Sequence, residues 1–270
     1  MPNISDAPIA NASNYLKLAM RHKELDKRKE YCEKALAQLS AIDRSHESNR
    51  MGKSKFFEDI EMTILKGKAE FLSQDYKTAI ETYESSLDWV NEAAKRFHEL
   101  ESLTKRGREI EHNPQRREEF NQINIRLAEL LGQGIVKTGQ HIEWMFGFAD
   151  ALKHAKEWEG AKTTYGGLMS EYGFGGRYSG ENGRPMFDVF NGSSECAYHL
   201  MDYEASIQFG EMMIEVCRPY NWGHKYMALS QKAQGKLEEA KQTAARAVVY
   251  EAPWDDKHKE EVEQWYKENF

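Results

Sequence analysis

The chain has 270 residues, 40% of them apolar and 30% charged, the balance of a soluble, helix-rich globular protein. Its 44 acidic against 37 basic residues leave a formal charge of −7, which removes global electrostatic support for a nucleic-acid partner. No apolar run approaches the ~20 residues that cross a bilayer. Met1-Pro2-Asn3-Ile4-Ser5-Asp6, with neither a basic head nor a greasy segment, does not read as a secretory signal, and Cys32, Cys196 and Cys217 read as reduced thiols of a protein expected in the cytoplasm.

In chain order, residues 1–8 read as a flexible N-terminus. Tyr15, Leu18 and Ala19, then Leu25, Tyr31, Ala35 and Leu36, keep a helical beat and predict a first helix pair over 9–42. Asp43 to Asp59, rich in Ser, Lys, Asn and Glu, reads as a solvated loop. A helical pattern then breaks at Gln74-Asp75 and restarts at Tyr76, Ile80, Tyr83 and Leu87. The Asp75 carboxylate suits a helix start, and Ala79 lets a neighbouring helix come close. The beat continues through Val90, Ala94 and Phe97, then loosely through Leu100, Leu103 and Ile110. One helix over about 76–111, ~50 Å long at 1.5 Å per residue, is the favoured reading. A break near Asp88 to Asn91 is the alternative. Asn113-Pro114 marks the next helix start, with Phe120, Ile123, Leu127, Leu130 and Leu131 on one face.

The pattern of Gln74 to Leu87 recurs. Glu157-Trp158 leads to Ala161 and Tyr165; Asp202-Tyr203 leads to Ile207, Met213 and Val216; Gly235-Lys236-Leu237 leads to Ala240, Ala244 and Ala247. Tyr203 to Leu237 is 34 residues, one full unit. Between the units that begin at Glu157 and Asp202 lies a glycine-rich insertion, 173–185, whose five glycines in eleven residues exclude a helix. It reads as a structural insertion, a partner-contacting loop or, least, a nucleotide site. Asp255-Asp256 begin a last helix, 255–270, whose Val262, Trp265, Tyr266 and Phe270 can cover the final repeat while its other face stays charged.

These residues resemble the tetratricopeptide repeat (TPR) family, whose unit is a 34-residue antiparallel helix pair with small residues at the crossing. The likeness is fullest at 60–93 and 221–254, thinner at 142–175 and 187–220, and thinnest at 9–42. It implies an all-α fold: a right-handed solenoid of about six TPR-like helix pairs over 9–254, closed by the C-terminal helix. It also implies a concave inner face lined by Phe146, Asp150 and Lys153, then Asn191, Glu195, Tyr198 and His199, then Trp222 and Lys225. Family members that grip the acidic C-termini of heat-shock chaperones use Lys with Asn four residues later. The matching positions here are Ile64/Lys68, Phe146/Asp150, Asn191/Glu195 and Lys225/Leu229, so no chaperone carboxylate clamp is expected.

A search for chemistry finds little. Cys196 and His199, one helical turn apart, make a single loose pair where zinc wants three or four converging ligands. No Gly-x-Ser-x-Gly elbow is present, and Glu238-Glu239 and Glu260-Glu261 fit solvated helix faces. No catalytic residue, metal or cofactor is therefore expected. Residues 142–220 hold 6 Lys+Arg against 12 Asp+Glu, which predicts an acidic groove drawing a basic peptide. The reading that follows is a non-enzymatic scaffold or adaptor binding a peptide or helix in its groove. Self-assembly into a homo-oligomer, and a small-molecule or enzymatic site near 173–187, are the alternatives.

Overall fold

The computed structural model describes residues 6–42, 55–172, 187–216, 223–249 and 256–270. Among these residues there are thirteen α-helices and no strand. In chain order they are α1 (Asp6–Arg21), α2 (Leu25–Ser40), α3 (Lys55–Leu72), α4 (Tyr76–Glu84), α5 (Leu87–Ile110), α6 (Arg117–Gln133), α7 (Thr138–His154), α8 (Trp158–Tyr172), α9 (Phe187–His199), α10 (Tyr203–Val216), α11 (Gly223–Ala233), α12 (Leu237–Val249) and α13 (Asp256–Asn269). The all-α expectation holds, with six successive helix pairs followed by one more helix. The first helix starts at Asp6, inside the stretch read as a flexible N-terminus. The solvated loop and the glycine-rich insertion lie outside the described residues.

The chain divides into two compact units, Met1–Ala151 and Leu152–Phe270. The division falls inside α7. In the first unit, α1 packs on both α2 and α3, so consecutive first helices lie side by side with each second helix behind. The second unit repeats this, with α9 on α10 and on α11.

One turn closes four of the pairs. At Gln74, Lys156, Met201 and Gly235 the backbone enters the left-handed region, with φ of 65°, 66°, 62° and 80°. In each case that residue's N–H donates three residues back and the next N–H donates five back: Gln74 to Phe71 and Asp75 to Glu70, Gly235 to Lys232 and Lys236 to Gln231. This double closure satisfies carbonyls that a helix end would leave orphaned. The core register is counted from it. Five residues before the turn stand Ala69, Ala151, Cys196 and Ser230; five after stand Ala79, Ala161, Ser206 and Ala240, all fully buried. Small side chains at both positions let paired helices approach closely. Where both are polar or sulfur-bearing the crossing adapts: Ser206 Oγ donates to the Ser194 carbonyl at 2.9 Å and Ser194 Oγ to that of Ser206 at 2.8 Å.

Aromatic side chains fill the gaps behind the small ones. Tyr83, 1% exposed, lies where a Cβ on either Gly67 or Gly147 would stand, and Tyr165 does the same for Gly192. Tyr83 meets Trp144 edge-on at 6.0 Å, and Trp144 meets Phe148 at 5.6 Å. At the C-terminal end, Val262, Trp265 and Tyr266 of α13, with Phe270 just after it, pack on Ala228, Ala244 and Ala247.

The single long helix over 76–111 does not form. The chain breaks at Ser85-Ser86, a few residues before the alternative position near Asp88 to Asn91. No glycine or proline does this. Ser85 Oγ donates to the Thr82 carbonyl and Ser86 Oγ to the Tyr83 carbonyl, each at 2.8 Å, capturing acceptors that the next turn would use. Ser86 Oγ also accepts from Trp144 Nε1 at 2.9 Å, which holds the break in the core. The following α5–α6 pair has a different closure: Asn113 Oδ1 accepts from Gln115 N at 3.0 Å over a 3-10 turn at Pro114–Arg116. Its two helices are tied by Arg126 to Glu99 at 2.8 Å and by Arg106 to Glu119 at 2.6 Å.

Candidate functional site

The second unit contains a cleft of about 410 Å³, lined by Lys153, His154, Lys156, Trp158, Asn191, Glu195, Lys225 and Tyr226. Five segments supply it: the end of α7, the turn before α8, the start of α8, the middle of α9 and the start of α11. Helix register explains the arrangement. Asn191 and Glu195 are four apart on α9 and share a face. Lys156 sits at the left-handed turn residue, which turns the chain so that Trp158 follows as the first residue of α8.

Glu195 is the hub. Its carboxylate takes Lys153 Nζ at 3.2 Å, with both side chains largely buried, and accepts the Tyr226 hydroxyl. Burial works to raise this carboxyl, but the Lys153 charge and the hydrogen bonds from Tyr226 and Lys153 outweigh it and hold it below the ordinary value. Tyr226 is pushed the other way, its phenol held well above the usual range by burial and by the Glu195 charge. Burial lowers Lys225, and Lys153 adds to that while Glu195 opposes it. Its ammonium lies 5.0 Å from the Tyr226 ring centroid, within cation–π range.

A flat apolar surface adjoins this charged floor. His199 stacks on Trp158 with centroids 4.0 Å apart and planes 12° from parallel. Tyr226 links the two features, 6.4 Å from His199 and 5.8 Å from Tyr198. Burial holds the His199 imidazole below its ordinary value, so this ring stacks as a neutral group near pH 7.

Of the residues expected on the inner face, the structure brings Lys153, Asn191, Glu195 and Lys225 together in the cleft, with Tyr198 and His199 beside it. Phe146 and Asp150 belong to the first unit, where Phe146 is buried and Asp150 half-buried. Trp222 lies outside the described residues. The sequence reading missed His154, Lys156, Trp158 and Tyr226. A signal for Trp158 exists: two residues after the turn stand Tyr76, Trp158 and Tyr203 in three of the pairs, a position read only as the restart of helical periodicity.

The expectation of an acidic groove is corrected. Three lysines and His154 face one glutamate among the described lining residues. Much of the acidic count over 142–220 lies away from the cleft: Glu157, Glu159, Glu204, Glu211 and Glu215 stand exposed on α8 and α10 or at the turn before α8. Lys225, which completes the cleft, lies beyond that window. Averaging over a segment mixes faces that the helix pair separates.

No family model matches the chain, and no curated protein matches it. Among solved structures, the chain is similar to the TPR2AB-domain:pHSP90-complex of yeast Sti1 at 16% identity, over 98% of this chain and 97% of that one, with a TM-score of 0.40. The helix-pair fold described above rests on the chain's own turns and packing. Among the described residues no helix is long and apolar enough to cross a membrane.

Proposed function

We propose that the second unit is a docking module for a segment of another protein, acting by binding rather than by catalysis. The observation that supports this best is the parallel Trp158–His199 stack set directly beside the Lys153–Glu195–Tyr226 arrangement. Stacked aromatics at the lip of a cleft offer rigid contact area at small entropic cost, and aromatic anchors dominate binding energy in interfaces. Fixed charges next to them supply direction and selectivity. The cleft's lysine excess favours an anionic segment, which reverses the basic peptide expected from segment composition.

The test is affinity capture from cells with the tagged chain beside its Trp158→Ala and Lys225→Gln variants, read by quantitative mass spectrometry. The reading requires a set of proteins retained by the unaltered chain and depleted by both changes, with helical content unchanged. Identical retention by all three chains defeats it.

A further inference from the structure

The charge on the cleft says more about what it holds. The side chains of Lys153, Lys156 and Lys225 line one cavity with the His154 imidazole and the Asn191 amide, and Glu195 is the one carboxylate among the described lining residues. Asp150 stands one turn before Lys153 on α7. Counting it as well, the ammonium groups still outnumber the carboxylates. Glu195 does not face the cavity as an open acceptor, because Lys153 at 3.2 Å and the Tyr226 hydroxyl already engage it. A second anion therefore enters where the ammonium groups exceed the carboxylates by at least one charge.

Single carboxylates and phosphoryl groups answer this differently. A side-chain carboxylate brings one charge and two acceptor oxygens. A phosphomonoester brings about −1.5 to −2 charges at pH 7 and three strong acceptor oxygens, enough to engage several ammonium groups and an amide at once. The shielded setting sharpens the difference. Lys225 is half-buried; burial disfavours its charged form, Glu195 offsets part of that and Lys153 adds to it, so a dianion beside the two lysines relieves the cost that remains. The Trp158–His199 surface indicates that the anion arrives on a longer molecule, since free phosphate has nothing to lay on two stacked rings.

We propose that the cleft recognises a phosphorylated segment of a partner protein, the phosphoryl group lying among Lys153, Lys156, Lys225 and Asn191 and a neighbouring side chain resting on Trp158 and His199. This rests on the docking reading above and specifies its ligand. Phosphorylation of the partner would then switch the interaction on.

The experiment uses the full chain and three immobilised peptide libraries, degenerate except for one central residue: phosphoserine, glutamate or serine. Retention of the phosphoserine library should exceed that of the other two by about tenfold, the order expected when a charge-assisted contact gains a second charge. Lys156→Gln, an exposed change that leaves packing alone, and Lys225→Gln should each erase most of that preference. An equal concentration of inorganic phosphate should displace little of the bound library. Equal retention of the glutamate and phosphoserine libraries, lost in Lys225→Gln, overturns the phosphoryl assignment and leaves the docking reading standing. Full displacement by inorganic phosphate overturns it in favour of a free-anion site. Retention of none of the libraries, or retention indifferent to both lysines and to Trp158→Ala, overturns the assignment and the docking reading together.

Discussion

Lys153 and Glu195 join the end of α7 to the middle of α9 through a 3.2 Å ion pair whose side chains are 16% and 21% exposed. Because water is largely excluded, the pair is more consequential than the exposed pairs on α2 and α5, and removing one partner leaves the other desolvated. Glu195→Gln should destabilise the second unit by about 1–3 kcal/mol. The folded-state carboxyl titrates below its ordinary value of 4.5, so its contribution is present above that pH and is lost as pH falls through the lower folded value. Chemical denaturation at pH 7 and pH 4 checks both parts: the variant should lose stability at pH 7 and show a shallower acid decline.

His224 provides the second pH-sensitive element. It is 3% exposed on α11, and burial, with Arg246 adding to it, lowers its imidazole from 6.5 to about 4. A histidine depressed in this way is neutral in the folded chain while the unfolded chain protonates near 6.5. Stability is therefore intact above pH 6.5 and declines as pH falls towards 4, by roughly 2–3 kcal/mol across the window at 1.36 kcal/mol per unit. Thermal melts between pH 7.5 and pH 4 should show Tm falling through this range, and His224→Gln should flatten that part of the profile.

Two glycines on helices should respond to alanine with opposite signs. A Cβ at Gly147 would overlap the Tyr83 ring, which is 1% exposed and held against Trp144 and Phe148, so the ring has nowhere to retreat. Gly147→Ala should cost about 1–3 kcal/mol, with part recovered in Gly147→Ala/Tyr83→Leu. At Gly132, in the last turn of α6, a Cβ meets open space. Gly132→Ala should stabilise by up to about 1 kcal/mol through helix propensity alone. Urea midpoints of the four chains decide the matter.

The repeat was legible because its determinants are local. Ala79, Ala161 and Ala240, with aromatics such as Tyr83 and Tyr165 four residues later, show in the sequence where helices must cross. The break after Glu84 was not legible, since Ser85 and Ser86 are acceptable helix residues until Trp144, nearly 60 positions away, makes Ser86 an acceptor. The cleft was half legible for the same reason. Asn191 and Glu195 follow from one helix's register. Trp158 and Tyr226 reach the site through the turn at Lys156 and the close crossing of α10 and α11, where a Cβ on Gly210 would stand 2.8 Å from the Gly223 carbonyl oxygen. Contacts set by backbone approach leave no period in the sequence to read.

The four equivalent turns differ in how well their residue suits a left-handed backbone. Gly235 adopts φ of 80° at no steric cost, whereas Gln74, Lys156 and Met201 hold φ of 65°, 66° and 62° against a Cβ that disfavours it. Met201 is the cleanest place to test this, because its side chain is 73% exposed and lines no cleft described here. Met201→Gly should raise stability by about 0.5–1 kcal/mol, the relief of strain exceeding the entropy glycine adds to the unfolded chain. Gly235→Ala should lower it by a similar amount, although nothing lies within 4 Å of the added Cβ. Opposite shifts in Tm for these two changes identify backbone conformation as the cause, since neither alters a packed contact. Shifts of the same sign would mean that side-chain surroundings govern the turn.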